Sequence, residues 1–425
     1  MALLVVAALV LLFLGVPIAV AIAGSTTLAV GASGIFGIEV VPQQIFNALN
    51  SFPLMAIPFF ILAGHLMQVG GISERLIRFG NALIGHMTGG LAMAAVLTSM
   101  FFAAISGSGA ATVAAIGSIL IPAMLARGYD RGFTAANQSV AGALGVIIPP
   151  SIPLILYAVA ANVSAGDMFL AGVFPGVLIT LSLLIMAYVV SRKRRYAGLE
   201  RVGGRELFTA FRKSILALLM PVIVLGGIYG GVFTPTEAAV VAVVYSVLVG
   251  FVYRQLSLRK LVDAFADSAV TSAIVMIVIG AAGLFAFYIN VLGAPAQLAE
   301  AMTSLNLGIV GFVILANVIL LIAGMFIEAA AAILIFVPIL LPMATAFGMD
   351  PVHFGIIMVV NLAIGLVTPP VGLNLFVAAD LTKLSMGRIS KAVLPFIGVL
   401  LVDLALVSAL PQLSLWLPSL VSTAG

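Results

Sequence analysis

The sequence predicts an all-α polytopic membrane protein built on inverted structural repeats, with two re-entrant helical hairpins and two broken helices. Three observations carry that prediction. First, 63% of the 425 residues are apolar and only 8% charged, against about a quarter charged in soluble domains, so the surface faces lipid. Second, apolar runs recur from Ala2 to Trp416 with no long polar segment between them, which excludes a large soluble catalytic domain. Third, the chain matches itself without gaps, Ala103–Pro175 against Ala323–Pro395. The absence of Cys excludes disulfides, thiolate metal sites and thiol catalysis.

Hydropathy, with Gly and Pro as punctuation, gives spans near 2–30, 43–69, 133–163, 168–191, 214–233, 236–253, 268–292, 353–382 and 390–420. The first run resembles a signal-peptide core but lacks a positive leading region and stays apolar to Val30, so it is read as a span. Two regions behave differently. Residues 91–126 break at Ser106–Gly109 and residues 305–347 break near Gly324–Glu328, leaving arms of about 14 to 18 residues. At ~1.5 Å per residue such arms fall short of a ~30 Å hydrocarbon core, which makes them re-entrant hairpins with tips in a buried or wet site.

Basic residues fix the orientation. The cluster from Arg192 to Lys213 belongs in the cytoplasm, and threading the spans then puts all 18 Lys and Arg on that side. The opposite loops carry Glu39, Asp167, Glu237, Glu300 and Asp350. This distribution explains the net charge of +4 better than nucleic-acid binding does. Segments Ser73–Ala82 and Leu256–Ala266 mix charge with apolar residues and are expected as amphipathic helices in the interface.

In the internal repeat Pro122, Pro149, Pro150 and Pro175 meet Pro342, Pro369, Pro370 and Pro395. With the orientation above, the first hairpin has its base in the cytoplasm and the second outside, so the copies are inverted. Paired broken helices in inverted repeats are the arrangement of secondary transporters, with the site at the midplane.

Each copy follows its hairpin tip with an interrupted span, Gly145–Ser151 and Gly365–Val371. Two prolines in succession open a helix because each lacks an amide donor and clashes with the preceding turn. Unwound carbonyls and helix ends then suit a small hard cation, with the hydroxyls of Ser106, Ser108, Ser151 and Thr368 completing the shell, and two breaks suggest two Na⁺ sites. The half-helices that start after the breaks aim amide groups at the same centre, where they can hold a carboxylate without Arg.

Each of these residues also has a plainer reading. A Pro-Pro pair can be a kink, and the small residues at 106–109 a close-packing patch. Asn137, Asn361 and Asn374 can line a cavity or join helices. Glu328 is an intramembrane carboxylate, which points to function unless backbone amides merely brace it; Asp380 and Asp403 lie toward span ends. His65, His86 and His353 lack metal-ligand spacing.

The strings Phe59–Gly64, Ser106-Gly-Ser-Gly-Ala-Ala-Thr112, Gly145-Val-Ile-Ile-Pro-Pro-Ser151 and Gly365-Leu-Val-Thr-Pro-Pro-Val-Gly372 carry a resemblance over nearly the whole length. The chain resembles the large membrane subunit (DctM-like) of tripartite ATP-independent periplasmic (TRAP) transporters, in the ion transporter superfamily. The resemblance implies Na⁺-coupled uptake of an organic acid, of sialic acid or C4-dicarboxylate type, across the bacterial inner membrane. It implies an elevator-type transport domain sliding against a scaffold, a separate small four-helix membrane subunit and a periplasmic substrate-binding protein.

By motif, one Na⁺ is expected at Ser106, Ser108, Gly145, Ile148, Pro149 and Pro150. The second is expected at Gly324, Gly365, Thr368 and Pro369. Solute-binding candidates are Ser108, Asn137, Ser151, Glu328, Gly372 and Asn374. The expected organisation is scaffold in 1–90, the first transport repeat in 91–165, scaffold in 166–304, the second transport repeat in 305–385, and a C-terminal span in 386–425.

A stand-alone Na⁺/dicarboxylate symporter of the same superfamily is the nearest rival. A serine protease would need a base near Ser106 or Ser108, and none is expected. A passive channel explains neither the hairpins nor the matched breaks.

Overall fold

A computed structural model describes residues 2–294, Gln297, Glu300 and 308–422; the expected start of the second hairpin at 305 lies outside them. Among the described residues there is no strand, and nine helices are long and apolar enough to cross a membrane.

The helices run α1 Ala2–Phe13, α2 Ile18–Ser33, α3 Val40–Leu49, α4 Ala56–Val69 and α5 Ile72–Ile84. The first hairpin is α6 Gly90–Ser106 with α7 Gly109–Ala126, and the first broken span is α8 Arg131–Ile147 with α9 Ile152–Ala161. Then come α10 Ala165–Lys193, α11 Gly204–Tyr229, α12 Pro235–Val252 and α13 Leu258–Val291. The second hairpin is α14 Ile309–Phe326 with α15 Ala329–Ala346, the second broken span α16 Pro351–Gly365 with α17 Leu373–Thr382, and the chain closes with α18 Met386–Ala409 and α19 Gln412–Ser422.

The repeat is visible to the residue. Both first arms end 220 positions apart, at Ser106 and Phe326, and both second arms start at that spacing, at Gly109 and Ala329. Asp130 and Asp350 cap α8 and α16 alike, each accepting hydrogen bonds from first-turn amides. The four arms have 17 or 18 residues, about 27 Å at most. α8 and α9 meet at 41°.

The inversion follows from α10, which spans 29 residues, about 43 Å. At its C-terminal end Arg194 pairs with Asp130 at 3.0 Å, and the Tyr196 carbonyl accepts from Gly89 at the base of hairpin 1. At its N-terminal end Asp167 lies within electrostatic reach of Asp350, at the base of hairpin 2. The two bases therefore sit at opposite ends of one helix, and the tips meet between them.

Four expectations need correction. The run 2–30 is no single span: Gly15 takes a left-handed φ of 76° and Pro17 starts a new helix, so α1 folds against α2 with Leu11 on Gly24. The span expected at 43–69 divides at Asn50–Ser51, and its crossing part is Phe52–Val69. Separated there, α3 packs on α13 where Gly280 lies against Ile45. Leu256–Ala266 does not make a separate interfacial helix. Ser257 caps α13 through the Lys260 amide and nothing interrupts the helix before Val291, whereas Ser73–Ala82 does form a distinct amphipathic helix, α5. Finally, Pro411 ends the last span, and α19 returns to α10 with Trp416 5.3 Å from Phe174.

Candidate functional site

Glycine sets the approach of each tip to its own broken helix. A Cβ on Gly145 would collide with the Ser108 carbonyl, and one on Gly365 would stand within 2.5 Å of Gly324. Gly145 and Gly365 are equivalent in the repeat, but their partners are not: Ser108 lies at the first tip, whereas Gly324, the counterpart of Ala104, lies in the last turn of the first arm of hairpin 2. The Pro149–Pro150 and Pro369–Pro370 bonds are both cis.

The first tip is held by hydroxyls. Thr112 donates to the Ser108 carbonyl at 2.8 Å and lies 3.0 Å from the Ser106 hydroxyl. With its only proton used, Thr112 can only accept from Ser106. Ser108 caps α7 through the Ala111 amide. At the equivalent position of the second tip stands Glu328, the N-cap residue of α15, whose carboxylate makes no capping hydrogen bond. Across the first break, the Ser151 hydroxyl donates to the Val146 carbonyl at 2.7 Å and accepts from Leu154. Across the second, Thr368 donates to the Ile364 carbonyl at 2.6 Å, and Gly372, at a φ of 59°, donates to Met325 of hairpin 2.

Asn374 joins the copies. Its side-chain amide donates to the Ser139 carbonyl at 3.2 Å, its amide nitrogen donates to Leu366, and its side chain lies beside Gly109. The Oδ1 atom is buried without a partner. A buried, unpaired acceptor beside the carbonyl ends of two opened helices is a donor set that suits a small cation. Among the described residues no cluster of His, Asp and Glu could hold a metal, which leaves carbonyl, hydroxyl and amide oxygens for that task.

The tips enclose a cavity of about 120 Å³. Of the residues singled out in the sequence, Ser106, Ser108 and Glu328 line it, with Gly107, Gly109, Val146, Leu366 and Leu373. Gly145, Gly324, Gly365, Thr368 and Asn374 stand directly behind that lining, and Gly324 lies inside the last turn of α14 rather than in the turn itself. Ile148 and Pro149 face α10, against Gly176 and Gly172. Pro150 and Pro369 lie in the breaks. Ser151 is buried, spans its own break and does not line the cavity. Asn137 is fully buried and donates to the Ala92 carbonyl near the hairpin base, away from the cavity. Asn361 binds Asn317 of hairpin 2.

Two kinds of residue at the site carry no role in the sequence reading. Thr112, which braces the first tip from behind the lining, lies inside a motif. His65, Gln68 and Thr271 come from α4 and α13, outside both copies, and only the folded chain brings them to the tips; contrary to expectation, a histidine thus shares the cavity of Ser106 and Ser108, with its Nδ1 bonded to Ser268 and not to either of them.

A family model described as "Tripartite ATP-independent periplasmic transporter, DctM component" matches residues 5–413. The chain is 47% identical to the C4-dicarboxylate TRAP transporter large permease protein DctM of Pseudomonas aeruginosa, covering 88% of each chain. It is 36% identical to the sialic acid TRAP transporter large permease protein SiaM of Vibrio cholerae, over 96% of each. It is 46% identical to the isethionate TRAP transporter permease protein DctMQ of Oleidesulfovibrio alaskensis, where 95% of this chain spans 64% of that one. Among solved structures, the Alcanivorax borkumensis YdaH transporter superposes with a TM-score of 0.65 over 88% of each chain at 16% identity, a likeness of fold. Hairpins, matched breaks and these relatives agree: the chain belongs to the DctM component family of tripartite ATP-independent periplasmic transporters, and is a membrane transport permease rather than an enzyme.

Proposed function

We propose that this permease carries an organic anion, of the carboxylate or sulfonate class named for its relatives, into the cell across the inner membrane in symport with Na⁺. The observation that supports this reading is the convergence of two equivalent tips and two equivalent breaks on one cavity. One Na⁺ would rest at the first tip and the Gly145–Pro150 break, the other at the second tip and the Gly365–Pro369 break. Carbonyl oxygens would supply most of the coordination, with Thr368 and Ser106, whose protons are already given away, presenting lone pairs. The solute would lie between Ser108 and Glu328, and Asn374 would couple its site to the ions by touching both copies. The first amides of α7 and α15 offer positive helix ends to its anionic group.

Transport would follow an elevator mechanism. Both hairpins and both broken helices would move as one body; α10, expected in the scaffold by the division above, packs on α8 as α18 does, and both would travel with that body instead. The remaining helices would form the scaffold, enlarged by a separate small four-helix membrane subunit. A periplasmic binding protein would deliver the solute.

The test is uptake into proteoliposomes that contain both membrane subunits, with binding protein added outside. Uptake is expected to need an inward Na⁺ gradient. Uptake that continues with K⁺ in place of Na⁺ at equal membrane potential would refute the ion coupling.

A further inference from the structure

α4 belongs to neither copy of the repeat, yet it sits on their meeting point. A Cβ on its Gly64 would stand 3.4 Å from the Ser106 Cα, and the next residue, His65, lines the same cavity as Ser108 and Glu328.

Hydrogen bonding fixes the imidazole. The Ser268 hydroxyl lies 2.6 Å from the Ala264 carbonyl and 2.9 Å from His65 Nδ1. A hydroxyl has one proton, and the carbonyl can only accept it, so Ser268 accepts from Nδ1–H. Among the described residues the other ring nitrogen, Nε2, has no side-chain hydrogen-bond partner, and the ring lines the cavity. α13 thus orients a ring whose remaining nitrogen is free to take a proton and donate it to a ligand.

We propose that His65 is a solute-binding residue, whose protonated Nε2 donates a hydrogen bond to an anionic oxygen of the solute held between the tips. This rests on the tips being the solute site. The cavity lining holds no Lys or Arg, so within about 120 Å³ a protonated imidazole is the positive charge the lining can offer an anion. Solute binding and proton uptake at His65 are then linked.

The charged groups facing His65 are Glu328 from hairpin 2 and Asp267 from α13. Ionisable groups on the other helices against α4 are engaged elsewhere. Tyr245 donates to Leu216, Tyr157 to Pro351, and Glu237 accepts from its own N-cap. Arg75 binds the Gly71 carbonyl and the Tyr253 ring, while Glu74 and Arg78 line a separate cavity with Lys213.

The experiment uses the complete transporter in proteoliposomes, with radiolabelled succinate, N-acetylneuraminate and isethionate as probes. For whichever probe the wild type takes up, its KM should fall as the pH drops from 8 to 6. His65→Gln should raise KM at pH 6 about tenfold, the worth of one charge-assisted hydrogen bond, leave kcat within about twofold, and flatten the pH dependence. Ser268→Ala should raise KM less and keep the slope, because the imidazole remains. Any pH response of the binding protein cancels between variants. Equal KM and equal pH slope in wild type and His65→Gln would overturn the proposal while leaving the solute site intact. A wild type that takes up none of the three would overturn both. If His65→Gln does not insert, His65→Asn decides in the same assay.

Discussion

Gly365 rests on Gly324 so closely that a Cβ at 365 would stand within 2.5 Å of the Gly324 Cα and carbonyl carbon. The contact fixes how near the second hairpin tip comes to the second break. Gly365→Ala must push them apart, and overpacking of this kind costs about 1–3 kcal/mol. The expected outcome is uptake reduced about tenfold or more, with membrane insertion retained, checked by initial uptake rates at matched protein content. Full activity in Gly365→Ala would show that the tip spacing is irrelevant to transport.

Thr368 spends its hydroxyl proton on Ile364, so only its lone pairs are left for a cation. Thr368→Val keeps the shape and removes the oxygen. The Na⁺ concentration for half-maximal uptake should rise about tenfold, in line with one lost charge-dipole contact, and Thr368→Ser should restore it. A Na⁺ activation curve measured on all three proteins decides.

Asn374 crosses between copies, and Asn374→Ala leaves the buried Ser139 carbonyl without that donor. Such a loss costs about 1–3 kcal/mol. Solute KM and Na⁺ half-saturation should worsen together, because one side chain touches both copies. A change in solute KM alone would confine Asn374 to the solute.

Asp130 offers a pH test outside the membrane spans. Burial alone would raise its carboxyl, but the Phe133 amide and the Arg194 guanidinium outweigh that and hold it below the usual carboxylate range. A folded value below the unfolded one means the stabilisation is present above the unfolded pKa of about 3.9 and is lost as pH falls through the folded value. Asp130→Ala should cost about 0.5–2 kcal/mol at pH 7, mostly as a lost helix cap, since the half-exposed ion pair adds little. The difference in thermal stability from wild type should be level from pH 5 to 8 and shrink below pH ~4. A difference that grows on acidification would contradict the assignment.

The architecture was legible because its strongest determinants are local. Pro-Pro pairs, Gly-rich tips and the absence of charge each act within a few residues, and duplication doubled the signal. Interruptions marked by one glycine or proline were missed, at Gly15 and Pro411, because hydropathy runs straight across them. The cavity lining was legible where the motif is the geometry, as at Ser106 and Ser108. It was opaque where a partner is remote: Asn137 lies near Ala92 instead of the tips, and His65 gains its orientation from Ser268, 203 residues away. No local spacing records such a pair.

Glu328 occupies the place held by Ser108 in the other copy, so one tip carries a hydroxyl and the other a carboxyl group that, among the described residues, has no capping hydrogen bond and no salt bridge; once ionised, it would make that tip negative. If that tip rides on a moving body, voltage acts on the journey. At the tips, two Na⁺ and a monovalent anion would cancel an ionised Glu328, whereas the vacant tips would keep its one negative charge. A cell interior at −100 mV would then favour their outward return by up to about 2.3 kcal/mol, so the membrane potential would speed the reset of the cycle rather than the delivery of cargo.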